Sequence, residues 1–182
     1  MAMRRAMAAT ILAAAASAPA MASDNAPCPA GLICATDPKS VAKIMMDEGF
    51  RATIDVDKGG DPLISSAAAG YDFDVFFYGC TDHKACDSIQ FRATFERNAS
   101  SDVVQMNRWN AETRFGQMSV NDQGVISLSY DISTIGGLNK RNFADVLSWW
   151  STILGQASKF FGANAAAAPA ATPRPASRTP DR

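Results

Sequence analysis

The chain has 182 residues, 47% of them hydrophobic and 19% charged, which suits one domain with tails rather than two domains. Seventeen Lys and Arg against 18 Asp and Glu leave a formal net charge of -1. That balance argues against a nucleic-acid binder, which needs clustered cations to displace counterions from phosphates. The ordinary apolar fraction likewise argues against wholesale disorder.

The N-terminus carries Arg4 and Arg5, then an uncharged, Ala-rich run from Ala6 to Ala20. A basic start, a short apolar stretch and small residues at the cut are the pattern of a secretory signal peptide. Ala18-Pro-Ala20 and Ala20-Met-Ala22 both fit the cleavage rule, and the second assigns residues 1–22 to the signal peptide and begins the mature chain at Ser23. No later segment reaches transmembrane length. The mature protein is therefore expected to be soluble and periplasmic. Without Arg4 and Arg5 the net charge moves from -1 to -3. Residues 162–182 hold Arg174, Arg178 and Arg182 against Asp181, a tail of +2 on a body of -5.

Cys28, Cys34, Cys80 and Cys86 all lie in the exported part, as two C-x5-C pairs. An even count in an oxidising compartment predicts disulfides, and the local pairing Cys28 with Cys34 and Cys80 with Cys86 is preferred among the three possible. Each would be a local clamp of roughly 2 kcal/mol by loop entropy. Residues 23–36 thus form an N-terminal disulfide loop.

Asp37 and Pro38 supply an N-cap and a first-turn proline for a helix with Val41, Ile44 and Met45 on one face, stopped at Gly49. Phe50 to Asp57 alternates as a half-buried strand. After the turn at Gly59-Gly60, Leu63 to Ala68 is a weaker strand. Tyr71 to Tyr78 has apolar residues on both sides and is expected to be covered on both faces. Ile89 to Glu96 alternates again, completing an antiparallel meander. Ser100 or Ser101 caps a second helix to about Ala111, with Val103, Val104 and Met106 apolar. Arg114 to Val120 and Val125 to Tyr130 flank a hairpin turn, and Ile132 to Asn139 reads as a loop. Phe143, Val146, Leu147, Trp150, Ile153, Leu154, Ala157, Phe160 and Phe161 recur at helical spacing, marking the clearest element of the chain. From residue 162 onward Ala, Pro, Thr, Ser and Arg show no apolar period, so 162–182 is expected to be a disordered tail. Segregated helices and strands predict an α+β fold, an antiparallel sheet flanked by helices.

Several of these residues together resemble the YbjN domain family, whose members carry the label of bacterial sensory transduction regulators. The resemblance spans about Asp37 to Phe161. It rests on Gly49-Phe50, Pro62-Leu-Ile-Ser65, Gly70-Tyr-Asp-Phe73 and Phe77-Tyr-Gly-Cys80 to Cys86 with Gln90-Phe91. Its most specific part is Asn107-Arg-Trp109-Asn110 followed by Arg114-Phe115-Gly116. It implies a fold similar to type III secretion chaperones over 37–161, and it brings no catalytic residues to carry over.

Cys80-x2-His83-x2-Cys86 offers three possible zinc ligands, but a structural site needs four and needs reduced thiols. With a single histidine and neither a nucleophile elbow nor a metalloprotease motif, no catalytic residue, metal or cofactor is assigned. Asn107, Trp109, Asn110, Arg114 and Phe115, with Trp149 at the margin of the last helix, form the candidate binding set. Aromatic, amide and guanidinium groups at a helix-to-strand junction serve either packing or peptide recognition. The sequence therefore predicts a non-enzymatic adaptor or regulator that binds a protein or peptide, with homodimerisation possible. The alternative is a small-molecule or metal sensor.

Overall fold

A computed structural model describes residues 27–167. The predicted signal peptide and the tail beyond Ala167 lie outside the described residues. In chain order the elements are α1 (Pro38–Asp47), β1 (Thr53–Val56), β2 (Pro62–Ala68), β3 (Tyr71–Tyr78), β4 (Ser88–Phe95), α2 (Val103–Glu112), β5 (Gln117–Val120), β6 (Ile126–Ser133) and α3 (Lys140–Ala167). The six strands form one antiparallel sheet in the order β1-β2-β3-β4-β6-β5. The fold is α+β, as the segregation of elements predicts.

The period-2 pattern sets which face of this sheet is dry. Ile64, Phe73, Val75, Phe77, Ile89, Phe91, Ala93, Ile126 and Leu128 point to one side and are buried. Helix α3 supplies the facing layer through Phe143, Leu147, Trp150, Ile153, Leu154 and Ala157, each 1% exposed or less. Each such large side chain contributes about 1.5–3 kcal/mol on burial. Helix α1 adds Val41, Ile44 and Met45, with Asp37 accepting from the Lys39 N–H at 3.1 Å as its cap.

The other sheet face has no helix over it among the described residues. Covering both sides of β3 was therefore the wrong expectation: Asp72 and Tyr78 are exposed, and Phe76 is shielded by the Arg92 guanidinium 4.4 Å above its ring. Nor is β1 half-buried. All four of its residues are exposed, Ile54 and Val56 among them, on a strand at the edge of the sheet.

Two helix boundaries differ from the sequence reading. Helix α2 is capped by Asp102, whose carboxylate accepts from the Gln105 N–H at 2.9 Å, rather than by Ser100 or Ser101. Its Val103 and Val104 are exposed and only Met106 and Trp109 are buried. Helix α3 runs to Ala167, past the expected stop at Phe161 and into the segment assigned to the tail. Alanine is the strongest helix former, and the Asn164 amide holds this extension by donating to the buried Ser100 hydroxyl at 2.9 Å. Strand β6 likewise continues to Ser133, three residues past the expected end at Tyr130 and two into the predicted loop.

Cys28–Cys34 and Cys80–Cys86 are both disulfides. The first loop is stitched to the segment before α3, where Ile33 and Leu138 exchange backbone hydrogen bonds of 2.8 and 2.9 Å. Among the described residues, no helix is long and apolar enough to cross a membrane.

Candidate functional site

The candidate residues divide into two groups. Trp109 is 3% exposed, donates its indole N–H to the Gly116 carbonyl at 2.9 Å and sets its ring edge-on to Phe160. Asn110 donates to the Met118 carbonyl at 3.0 Å and accepts from the Met118 N–H at 2.8 Å. Its amide thus occupies the outer edge of β5 as a further strand would, satisfying backbone groups an edge leaves open. These two residues fasten α2 to β5. Replacing Asn110 with alanine is expected to cost about 1–3 kcal/mol, the range for orphaning partly buried backbone groups, read as a lower urea midpoint. Asn107 is exposed, makes no side-chain hydrogen bond among the described residues, and is not drawn into either group.

Arg114, Phe115 and Trp149 come together at the surface. Between α2 and β5 the chain makes a tight turn in which the Gly116 N–H donates to the Arg114 carbonyl at 2.8 Å, with Phe115 at φ +67°. This i to i+2 bond around a left-handed residue is a strained γ-turn, rare for any side chain and rarer for an aromatic one. Gly116 imposes it. Its backbone lies flush against α3, where a Cβ would fall 2.5 Å from Ile153 Cγ2 and 3.3 Å from Leu128 Cδ1. The turn therefore throws Phe115 outward, leaving it 43% exposed.

The outward ring meets Trp149 edge to face at 5.0 Å and leans on Tyr130 at 5.5 Å. The Arg114 guanidinium carbon sits 4.8 Å from the Phe115 centroid and 5.9 Å from that of Trp149. Arg114 is exposed and has no carboxylate partner among the described residues. Burial, followed by the charge of Asp145, pushes the Tyr130 phenol above its ordinary value. Tyr130 and Asp145 are members of this cluster that the sequence reading missed. Tyr130 was visible only as the last residue of a strand, and its approach to Phe115 depends on the γ-turn.

His83 is paired elsewhere. Its Nδ1 lies 2.8 Å from Asp61 Oδ1, at the tip of the Cys80–Cys86 loop, where Asp82, His83 and Ala85 all have positive φ. The disulfide occupies both thiols of the Cys-x2-His-x2-Cys segment. Among the described residues, no cluster of three or more His, Cys, Asp or Glu is placed to hold a metal.

The uncovered sheet face carries a second feature, a shallow concavity of about 450 Å³ bordered by Arg51, Thr53, Ser65, Asp74, Arg92 and Thr94. Its charges are answered from within. Arg51 pairs with Asp72 at 3.2 Å, the Ser65 hydroxyl donates to Asp74 at 2.7 Å, and Arg92 donates to the Tyr78 hydroxyl at 2.6 Å and to Gln90 at 2.8 Å.

An antiparallel sheet covered on one face by helices, with an exposed aromatic and guanidinium cluster beside its edge, defines a small α+β domain. The chain belongs to the YbjN family, described as "Putative bacterial sensory transduction regulator", whose model matches residues 37–163. Its fold is similar to the crystal structure of YbjN from E. coli, with a TM-score of 0.50 at 13% identity over 70% of this chain and 94% of that one. No curated protein matches it.

Proposed function

We propose that this chain is an exported, non-enzymatic regulator that acts by binding a partner protein through Arg114, Phe115 and Trp149. The observation that carries this reading is the γ-turn at Phe115. A left-handed aromatic residue costs on the order of 1–3 kcal/mol, and here it places a large ring in water where a buried one would have stabilised the fold. Strain kept at an exposed aromatic is the mark of a recognition element rather than of packing. Two disulfides together with the basic and apolar N-terminus support an oxidising compartment. The single histidine, paired with Asp61, and the lack of a nucleophile-elbow or metalloprotease motif in the sequence support a role without catalysis.

The test is photo-crosslinking in the native envelope from a benzophenone side chain at exposed Asp145, one helical turn before Trp149. One dominant, identified partner is expected in the wild type and its loss in Phe115→Gly. An unchanged crosslink pattern in Phe115→Gly would overturn the assignment. The variant should not fail by unfolding. Glycine relieves the positive φ while forfeiting an exposed aromatic contact of about 0.5–1.5 kcal/mol, so its thermal midpoint should stay near that of the wild type. N-terminal sequencing of the mature protein from a periplasmic extract should begin at Ser23.

The polar concavity beside Arg92 favours a second reading, a small polar ligand on the open sheet face. Chemical shift changes at Thr53, Ser65 and Thr94 on titration with envelope metabolites, with Phe115 unmoved, would turn the assignment to that face.

A further inference from the structure

Two arginines among the described residues lie over aromatic rings, and they differ in one respect. Arg92 stacks on Phe76, and its edge is filled from within by the Tyr78 hydroxyl and the Gln90 carbonyl oxygen. Arg114 stacks on Phe115 and Trp149, and none of its N–H groups has an acceptor among the described residues. The rings take up the face of the guanidinium and leave its donor edge free. That edge is a planar fork whose best complement is a carboxylate held by two parallel hydrogen bonds. The stacked arginine is already oriented, so less side-chain freedom is lost when the acceptor arrives.

We infer that Arg114 is the specificity-determining residue of this surface, and that it receives an Asp or Glu side chain from a folded partner whose neighbouring apolar group packs on Phe115 and Trp149. This rests on the partner-binding reading above. The shape of the site selects a side-chain carboxylate over a chain terminus. Phe115 stands at the apex of a turn, 43% exposed, whereas terminal carboxylates are captured in concave nests of backbone N–H groups. The apolar neighbour is required because the flanks of the guanidinium are rings, which an isolated acid would leave wet. Most of this body cannot offer the same reception: residues 27–167 hold 16 Asp and Glu against 12 Lys and Arg, so an acidic partner is drawn to this point and repelled around it, which fixes its orientation.

The test uses the mature protein and three short peptides followed by amide and indole NMR shifts. Acetyl-Gly-Asp-Phe-Gly-amide should shift the Phe115 amide and the Trp149 indole. The Asn counterpart should bind at least about fivefold more weakly. Arg114→Gln should bring the two peptides to equal affinity, and Arg114→Lys should recover little of the difference, since a lysine keeps the charge but not the fork. Equal binding of the Asp and Asn peptides by the wild type would overturn the carboxylate assignment while leaving the surface itself in place. Absence of any shift at Phe115 and Trp149 would overturn both. Stronger binding by Gly-Gly-Phe with a free terminal carboxylate than by the Asp peptide would replace the side-chain source with a chain end.

Discussion

Trp150→Ala is expected to lower the unfolding free energy by about 3–5 kcal/mol, the range for removing a large buried aromatic. Trp150 is fully buried at the centre of α3's inner face, 5.5 Å from the Phe73 ring and 5.7 Å from Phe91. It thus joins the helix layer to two adjacent strands at once, β3 and β4. Domains of this size are stable by only about 5–15 kcal/mol, so the variant should lose a large share of its stability. Urea denaturation followed by far-ultraviolet circular dichroism measures it. Trp150→Phe should lose much less, because it retains a ring in the same layer. A small loss in Trp150→Ala would mean that α3 is held mainly by its ends.

Gly116→Ala is the second expected large effect. The added methyl would fall 2.5 Å from Ile153 Cγ2, on a side chain that is fully buried and cannot swing away. Overpacking of this kind costs about 1–3 kcal/mol where neighbours shift a little. Here the strain also reaches the Gly116 carbonyl that receives the Trp109 indole. The double variant with Ile153→Ala should be more stable than the sum of the two single effects implies, since it removes the opposing atom. Strict additivity would show that Gly116 does not bear on Ile153, and that the γ-turn has another cause.

Much of the architecture was legible because burial on one side leaves a period. Helix α3 followed from apolar residues at 3.6 spacing, and β3 and β4 from alternation. What periodicity cannot state is whether anything lies over a given face. Ile54 and Val56 carry the same signal as Ile89 and Phe91, yet the first pair sits on an edge strand and stays wet. Val103 and Val104 are apolar and exposed for a similar reason. Ser100 looked like a helix cap, but its hydroxyl is claimed by Asn164, 64 residues away. The six candidate residues were legible as a neighbourhood of one helix-to-strand junction, but not in how they divide. Trp109 and Asn110 hold β5 in place, Asn107 faces solvent, and Arg114, Phe115 and Trp149 form an exposed cluster. That division rests on the left-handed turn at Phe115, a conformation no propensity assigns to phenylalanine. It sits beside the close approach of Gly116 to Ile153, which only the assembled core defines.

The position of α3 at the end of the described chain has a consequence for the order of events during synthesis. The dry face of the sheet is complete by Ser133, but the layer that covers it runs from Phe143 to Ala157. A chain still attached to the ribosome while α3 is inside the exit tunnel therefore holds six strands with only the small apolar face of α1 to set against them. Local pairing of β1 through β4 can flicker, but it has little partner surface to lock against. Acquisition of the native state therefore waits for α3, whose inner face completes the core.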